Sequence, residues 1–107
     1  MPNIIKNSGT PYQATAVNTS DASQSLVDMG VDITVSSTPD ELQARWVNIT
    51  VEDNPVRMSM RTAASTSLGH LLYVGDSVTI EWQEIPLAEF ISANAGSAGT
   101  LQITVEY

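Results

Sequence analysis

Leu101-Gln102-Ile103-Thr104-Val105-Glu106-Tyr107 alternates apolar and polar side chains without a break. Successive side chains of a β-strand point to opposite faces, so a strand buried on one side must carry this period of two. The stretch is the clearest strand in the chain, and its position at the end of the sequence implies a terminus paired into a sheet.

The same period recurs upstream. Val31, Ile33 and Val35 alternate with Asp32, Thr34 and Ser36, and Val47, Ile49 and Val51 alternate with Asn48, Thr50 and Glu52. Val56, Met58 and Met60 oppose Arg57, Ser59 and Arg61, while Val78, Ile80 and Trp82 oppose Ser77, Thr79 and Glu81. Turn-forming residues separate the runs: Ser37-Thr38-Pro39-Asp40, Asp53-Asn54-Pro55, Gly75-Asp76 and Asn94 to Gly99. Asp53-Asn54-Pro55 reads as a hairpin loop between two strands, and Leu72 to Ser77 as a turn feeding the next one. Residues 39–44 are compatible with one helical turn, too short to alter the class. About six or seven short strands imply an all-β domain, a single antiparallel β-sandwich of jelly-roll or immunoglobulin-like arrangement.

A chain of 107 residues has room for one core of ordinary size. It contains no cysteine, so the core or oligomerisation must hold it together in place of disulfides. No apolar run matches a signal-peptide core or a membrane span, and the expectation is a soluble, unprocessed protein that does not engage a membrane. With 12 acidic and 4 basic residues the formal charge is −8, which repels a phosphate backbone and argues against direct nucleic-acid binding.

Residues 1–25 follow no regular period. They are rich in Asn, Ser, Thr, Gln and Ala, with Ile4, Ile5, Tyr12 and Val17 as their sizeable apolar side chains. Two readings fit: a loosely held surface segment containing an edge strand, or an extended N-terminal arm that orders against a neighbouring subunit. The second divides the chain into an arm, 1–25, and a sandwich, 26–107, with Ile4, Ile5, Tyr12 and Val17 as partner contacts.

Groups for catalysis are sparse. His70 is the only histidine, so the usual zinc and acyl-transfer constellations lack parts, and it is expected in a loop or at the start of a strand. The carboxylate pairs Glu52/Asp53, Asp40/Glu41 and Glu81/Glu84 are expected to be solvated turn acids, since adjacent strand residues point to opposite faces. Calcium ligation by Asp53-Asn54 or by Asp28 with Asp32 stays open, although no loop has EF-hand spacing. The expectation is therefore no catalytic residue, no cofactor and no metal. The triplets Asn18-Thr19-Ser20 and Asn48-Ile49-Thr50 are read as chance matches to the glycosylation pattern.

The two tryptophans differ in phase. Trp82 falls in line with Val78 and Ile80 and is expected in the core, whereas Trp46 is in phase with Asn48 and Thr50 on the polar face, either capping the core or contacting a partner.

From Arg45 to Tyr107 the order of segments resembles small β-sandwich virion proteins of tailed bacteriophages. The residues that carry the resemblance are Trp46-Val47-Asn48-Ile49-Thr50-Val51, Val56-Arg57-Met58-Ser59-Met60, Gly69-His70-Leu71-Leu72-Tyr73-Val74-Gly75-Asp76-Ser77-Val78, and the closing strand Leu101 to Tyr107. The resemblance implies a non-enzymatic capsid decoration, cement or head-neck adaptor protein. It further implies a homo-oligomer contacting other virion proteins, such as the major capsid protein, in particles assembled in the host cytoplasm. Two other classes compete: a carbohydrate-binding or adhesin-like module, which requires Trp46, Tyr73 or Trp82 exposed together beside acids or amides, and a small hydrolase, which requires His70 or a carboxylate pair in a pocket.

Overall fold

The computed structural model describes residues 12–36 and 41–107. Among them are ten strands: β1 (Tyr12–Asn18), β2 (Gln24–Ser25), β3 (Thr34–Ser36), β4 (Glu41–Gln43), β5 (Trp46–Val51), β6 (Val56–Met60), β7 (His70–Leu72), β8 (Ser77–Glu81), β9 (Ala88–Ser92) and β10 (Thr100–Glu106). A single 3₁₀ turn, Ile85–Leu87, precedes β9. Two four-stranded antiparallel sheets form, β2-β9-β6-β7 and β1-β10-β5-β8, with β3 and β4 paired as a separate ribbon. The chain is the all-β sandwich its periodicity implies.

The alternating runs build the interior. In β5 the residues Val47, Ile49 and Val51 are buried, and in β10 Leu101, Ile103 and Val105, with Ile80 of β8 beside them. From the facing sheet Val56, Leu72, Ala88 and Phe90 enter the same cluster, and Leu26, Val31, Ala44, Ile85 and Tyr107 close it. Each such aliphatic or aromatic side chain contributes roughly 1.5–3 kcal/mol relative to exposure.

β10 lies between β1 and β5, so the C-terminal strand is central to its sheet. All seven residues of β1 pair with it, from Asn18 opposite Thr100 to Tyr12 opposite Glu106. This corrects the division at residue 25. Within the expected arm, Tyr12–Asn18 and Gln24–Ser25 are strands of the two sheets, and Val17 is partly buried against the core. Short Ala and Thr side chains conceal the strand in sequence, because a strand on the rim needs little apolar area when β10 supplies its hydrogen bonds. Ile4 and Ile5 lie outside the described residues.

Other corrections concern connections. Asp53-Asn54-Pro55 joins β5 of one sheet to β6 of the other, so it is a crossover corner and not a hairpin. Glu41–Gln43 is a strand paired with Thr34–Ser36, where a helical turn was compatible. Val31 and Ile33 precede β3 in irregular backbone, Val31 still buried in the core. The turn at Leu72–Ser77 forms as read: the Asp76 amide donates to the Tyr73 carbonyl at 2.9 Å and the Tyr73 amide to Asp76 Oδ2 at 2.8 Å, with Gly75 at φ 93°.

β9 escaped the periodicity argument for a physical reason. Phe90 and Ile91 point to opposite faces, yet their exposures are 0% and 6%. Phe90 fills the core, while Ile91 is buried on the opposite face, on which the loop after β6 is tied through Ser23 to Glu89. Ala64 is buried in this loop and its amide donates to Ser23 Oγ at 2.9 Å, which in turn donates to Glu89 at 2.8 Å. Arg57 Nη1 donates to the Gly69 carbonyl at 2.9 Å. The loop sits so close that a Cβ on Gly69 would lie 2.9 Å from the Met58 carbonyl oxygen.

Candidate functional site

One end of the second sheet brings together the two exposed tryptophans. Trp46 opens β5 on the solvent side, 40% exposed, as its phase with Asn48 and Thr50 requires. The two residues before it are held in place: the Ala44 amide donates to the Ile33 carbonyl at 2.8 Å, the Arg45 amide to the Glu106 carbonyl at 2.6 Å, and Ala44 is buried. The Arg45 guanidinium lies 5.9 Å from the centre of the Trp46 ring, within cation–π range, and Arg45 Nε donates to the Tyr107 carbonyl at 3.3 Å.

Trp82 is not a core residue, contrary to its phase. β8 ends at Glu81, and the backbone turns at once, with the Glu84 amide donating to the Glu81 carbonyl at 2.9 Å. Alternation stops where the strand stops, so Trp82 emerges at 57% exposure. Ile85, buried at the start of the 3₁₀ turn, anchors the reversal. Trp46 stands opposite Glu81 in the β5–β8 register, and the two indoles line one open groove of about 290 Å³ with Gln43, Ala44 and Arg45. On its other side Trp82 borders a second hollow of about 210 Å³ with Ile33, Gln43, Ala44, Ile85 and Pro86.

The groups weighed for catalysis lie apart. His70 opens β7, exposed, opposite Met58. Asp53 accepts the Thr100 amide at 2.7 Å and its hydroxyl at 3.0 Å, whereas Glu52 accepts from Gln102 at 3.1 Å. These bonds to Thr100, the backbone amide first, hold the Asp53 carboxyl below its ordinary value. Asp28 accepts the Ser25 amide at 3.1 Å, and Asn54 donates to the Ala98 carbonyl at 3.0 Å. Among the described residues no three His, Asp or Glu side chains gather as a metal site, and Glu81 and Glu84 are exposed members of one turn. Asp40 lies outside the described residues.

Of the sequence candidates, then, Trp46 meets Trp82 in a shared groove. Tyr73 is also exposed, at 61%, but it precedes β8 whereas Trp82 follows it, so a strand length separates them. Val17 faces the core. The paired indoles could not be found from spacing in the sequence, because their meeting depends on the β5–β8 register and on where β8 ends.

The face below Trp46 is chemically uniform. Outward residues in the two rows beyond it are Ala14, Thr104, Asn48 and Thr79, then Ala16, Gln102, Thr50 and Ser77. None is charged. Thr79 donates to Asn48 Oδ1 at 2.7 Å, and the hydroxyls of Thr50 and Ser77 lie 2.8 Å apart.

The sequence matches no protein-family model, and no significant match to it occurs among curated proteins or solved structures.

Proposed function

We propose that the chain is a non-enzymatic virion structural protein, of the capsid-decoration, cement or head-neck adaptor type, that joins neighbouring subunits through the edge of its second sheet. The observation that carries this reading is β1. Its seven residues, Tyr-Gln-Ala-Thr-Ala-Val-Asn, include neither a charge nor a proline, and among the described residues the strand has a neighbour on one side only. Edge strands of proteins that stay single are usually blunted by lysine, proline or bulges. An unguarded edge of this length favours strand addition by a neighbouring subunit.

The order of elements supports the virion comparison. Each segment that carries the resemblance is a strand or a turn: β5, β6, β7 with its turn into β8, and β10. Partners on this reading are further copies of the chain and other virion proteins such as the major capsid protein, with the virion as its location.

The test is the mass of the full-length protein in solution and on particles. Assemblies larger than the 11.5 kDa chain, with slowed amide exchange along Tyr12–Asn18 on assembly, are expected. A chain that remains a monomer at high concentration and fails to sediment with virions of its source would refute the proposal.

A further inference from the structure

The solvent-facing side of the β1-β10-β5-β8 sheet differs from the rest of the molecule in charge. The chain carries −8 overall, yet the two rows beyond Trp46 hold only Ala, Thr, Ser, Asn and Gln. Acids border these rows at both ends: Glu81 and Glu106 flank Trp46 in the register, and Glu52 accepts from Gln102 at the other. A strand rises about 3.3 Å per residue, so Trp46 to Thr50 spans roughly 13 Å, enough for a few sugar rings.

We propose that this face binds a neutral oligosaccharide, with Trp46 and Trp82 as stacking platforms and Asn48, Thr79, Thr50 and Gln102 as hydrogen-bonding partners. The apolar C–H face of a pyranose packs on an indole, and its hydroxyls need groups that both donate and accept, as hydroxyls and amides do. The open groove between Trp46 and Trp82 would admit the edge of a ring. Protein interfaces draw on buried aromatic, methionine and arginine side chains throughout their core. The two rows beyond Trp46 contain no aromatic, methionine or arginine side chain, which favours the saccharide over a second copy of the chain. Charge selects among saccharides: Glu81, Glu106 and the net −8 repel anionic glycans as they repel nucleic acid. The inference does not depend on the virion reading, since it uses the face of the sheet and not its edge.

Affinity electrophoresis of the full chain in native gels containing mannan, dextran, xylan or mixed-linkage β-glucan tests it. Retardation by at least one of these neutral polysaccharides is expected. Trp46→Ala and Trp82→Ala should each weaken it tenfold or more with the far-ultraviolet spectrum unchanged, and Thr79→Lys, an exposed change that leaves the aromatic end intact, should do the same. Arg61→Ala, on the loop beyond β6, should migrate as the parent does. Unaltered migration of the parent in all four gels overturns the proposal, as does retardation that survives all three face substitutions. A drop in sedimentation coefficient on Trp46→Ala or Trp82→Ala, without any effect on retardation, would assign the groove to contact between copies and overturn it equally.

Discussion

The Asp53 carboxylate receives both the amide and the hydroxyl of Thr100, at 2.7 and 3.0 Å. This contact ties the corner between β5 and β6 to the first residue of β10, the last strand of the chain. Because it holds the Asp53 carboxyl below its ordinary 3.8, the folded protein binds that proton less tightly than the unfolded chain does. The stabilisation is therefore full above about pH 4 and is lost as pH falls through the depressed value. Asp53→Asn should lower the melting temperature slightly at neutral pH, and the two melting curves should converge in acid. A difference that persisted unchanged well below pH 3 would show that charge plays no part in this contact.

Thr19 and Ser92 form a second long-range tie, buried at 3% and 1% exposure. Their hydroxyl oxygens lie 2.9 Å apart, and Thr19 Oγ1 also accepts the Gly99 amide at 2.9 Å. Thr19→Val keeps the shape but leaves the Gly99 N–H and the Ser92 hydroxyl without this partner. The expected loss is about 1–3 kcal/mol, the range for an unsatisfied buried group, read from urea unfolding with an unchanged slope. Thr19→Ser, which keeps the hydroxyl, should lose less.

Tyr107 closes the core at 4% exposure, and its hydroxyl donates to the Asp32 carbonyl. Burial, with the Asp32 charge adding to it, raises the phenol above its ordinary 10.0. The folded state thus holds the proton more tightly, and that contribution is complete below pH 10 and disappears as pH rises through the raised value. Tyr107→Phe should destabilise the protein by about 1 kcal/mol at neutral pH while removing this alkaline loss. Parallel alkaline unfolding curves for the two proteins would contradict the assignment.

How much of this was legible in the sequence varied with what the residues face. β5, β8 and β10 could be read because one side of each faces the core and the other faces solvent for most of its length; β6 alternates in sequence although its outward side is partly covered. β9 could not, because both of its sides are buried, which removes the polar half of the signal. β1 could not either, since Ala14, Thr15 and Ala16 carry too little apolar area to announce a strand that depends on β10 for its pairing. Trp82 misled for a third reason: phase carries information only while the strand continues, and β8 ends one residue earlier.

By itself the sequence determined the class of the fold, because period-two burial is a local property that each segment displays alone. It also determined the acidic charge and put Trp46 in phase with the polar face of its strand. Tertiary structure alone decided that β5 and β6 belong to different sheets, that β10 lies between β1 and β5, and that Trp46 and Trp82 share one groove beside an uncharged face. Those relations follow from strand register and from where the chain reverses or crosses between sheets, which no local pattern encodes.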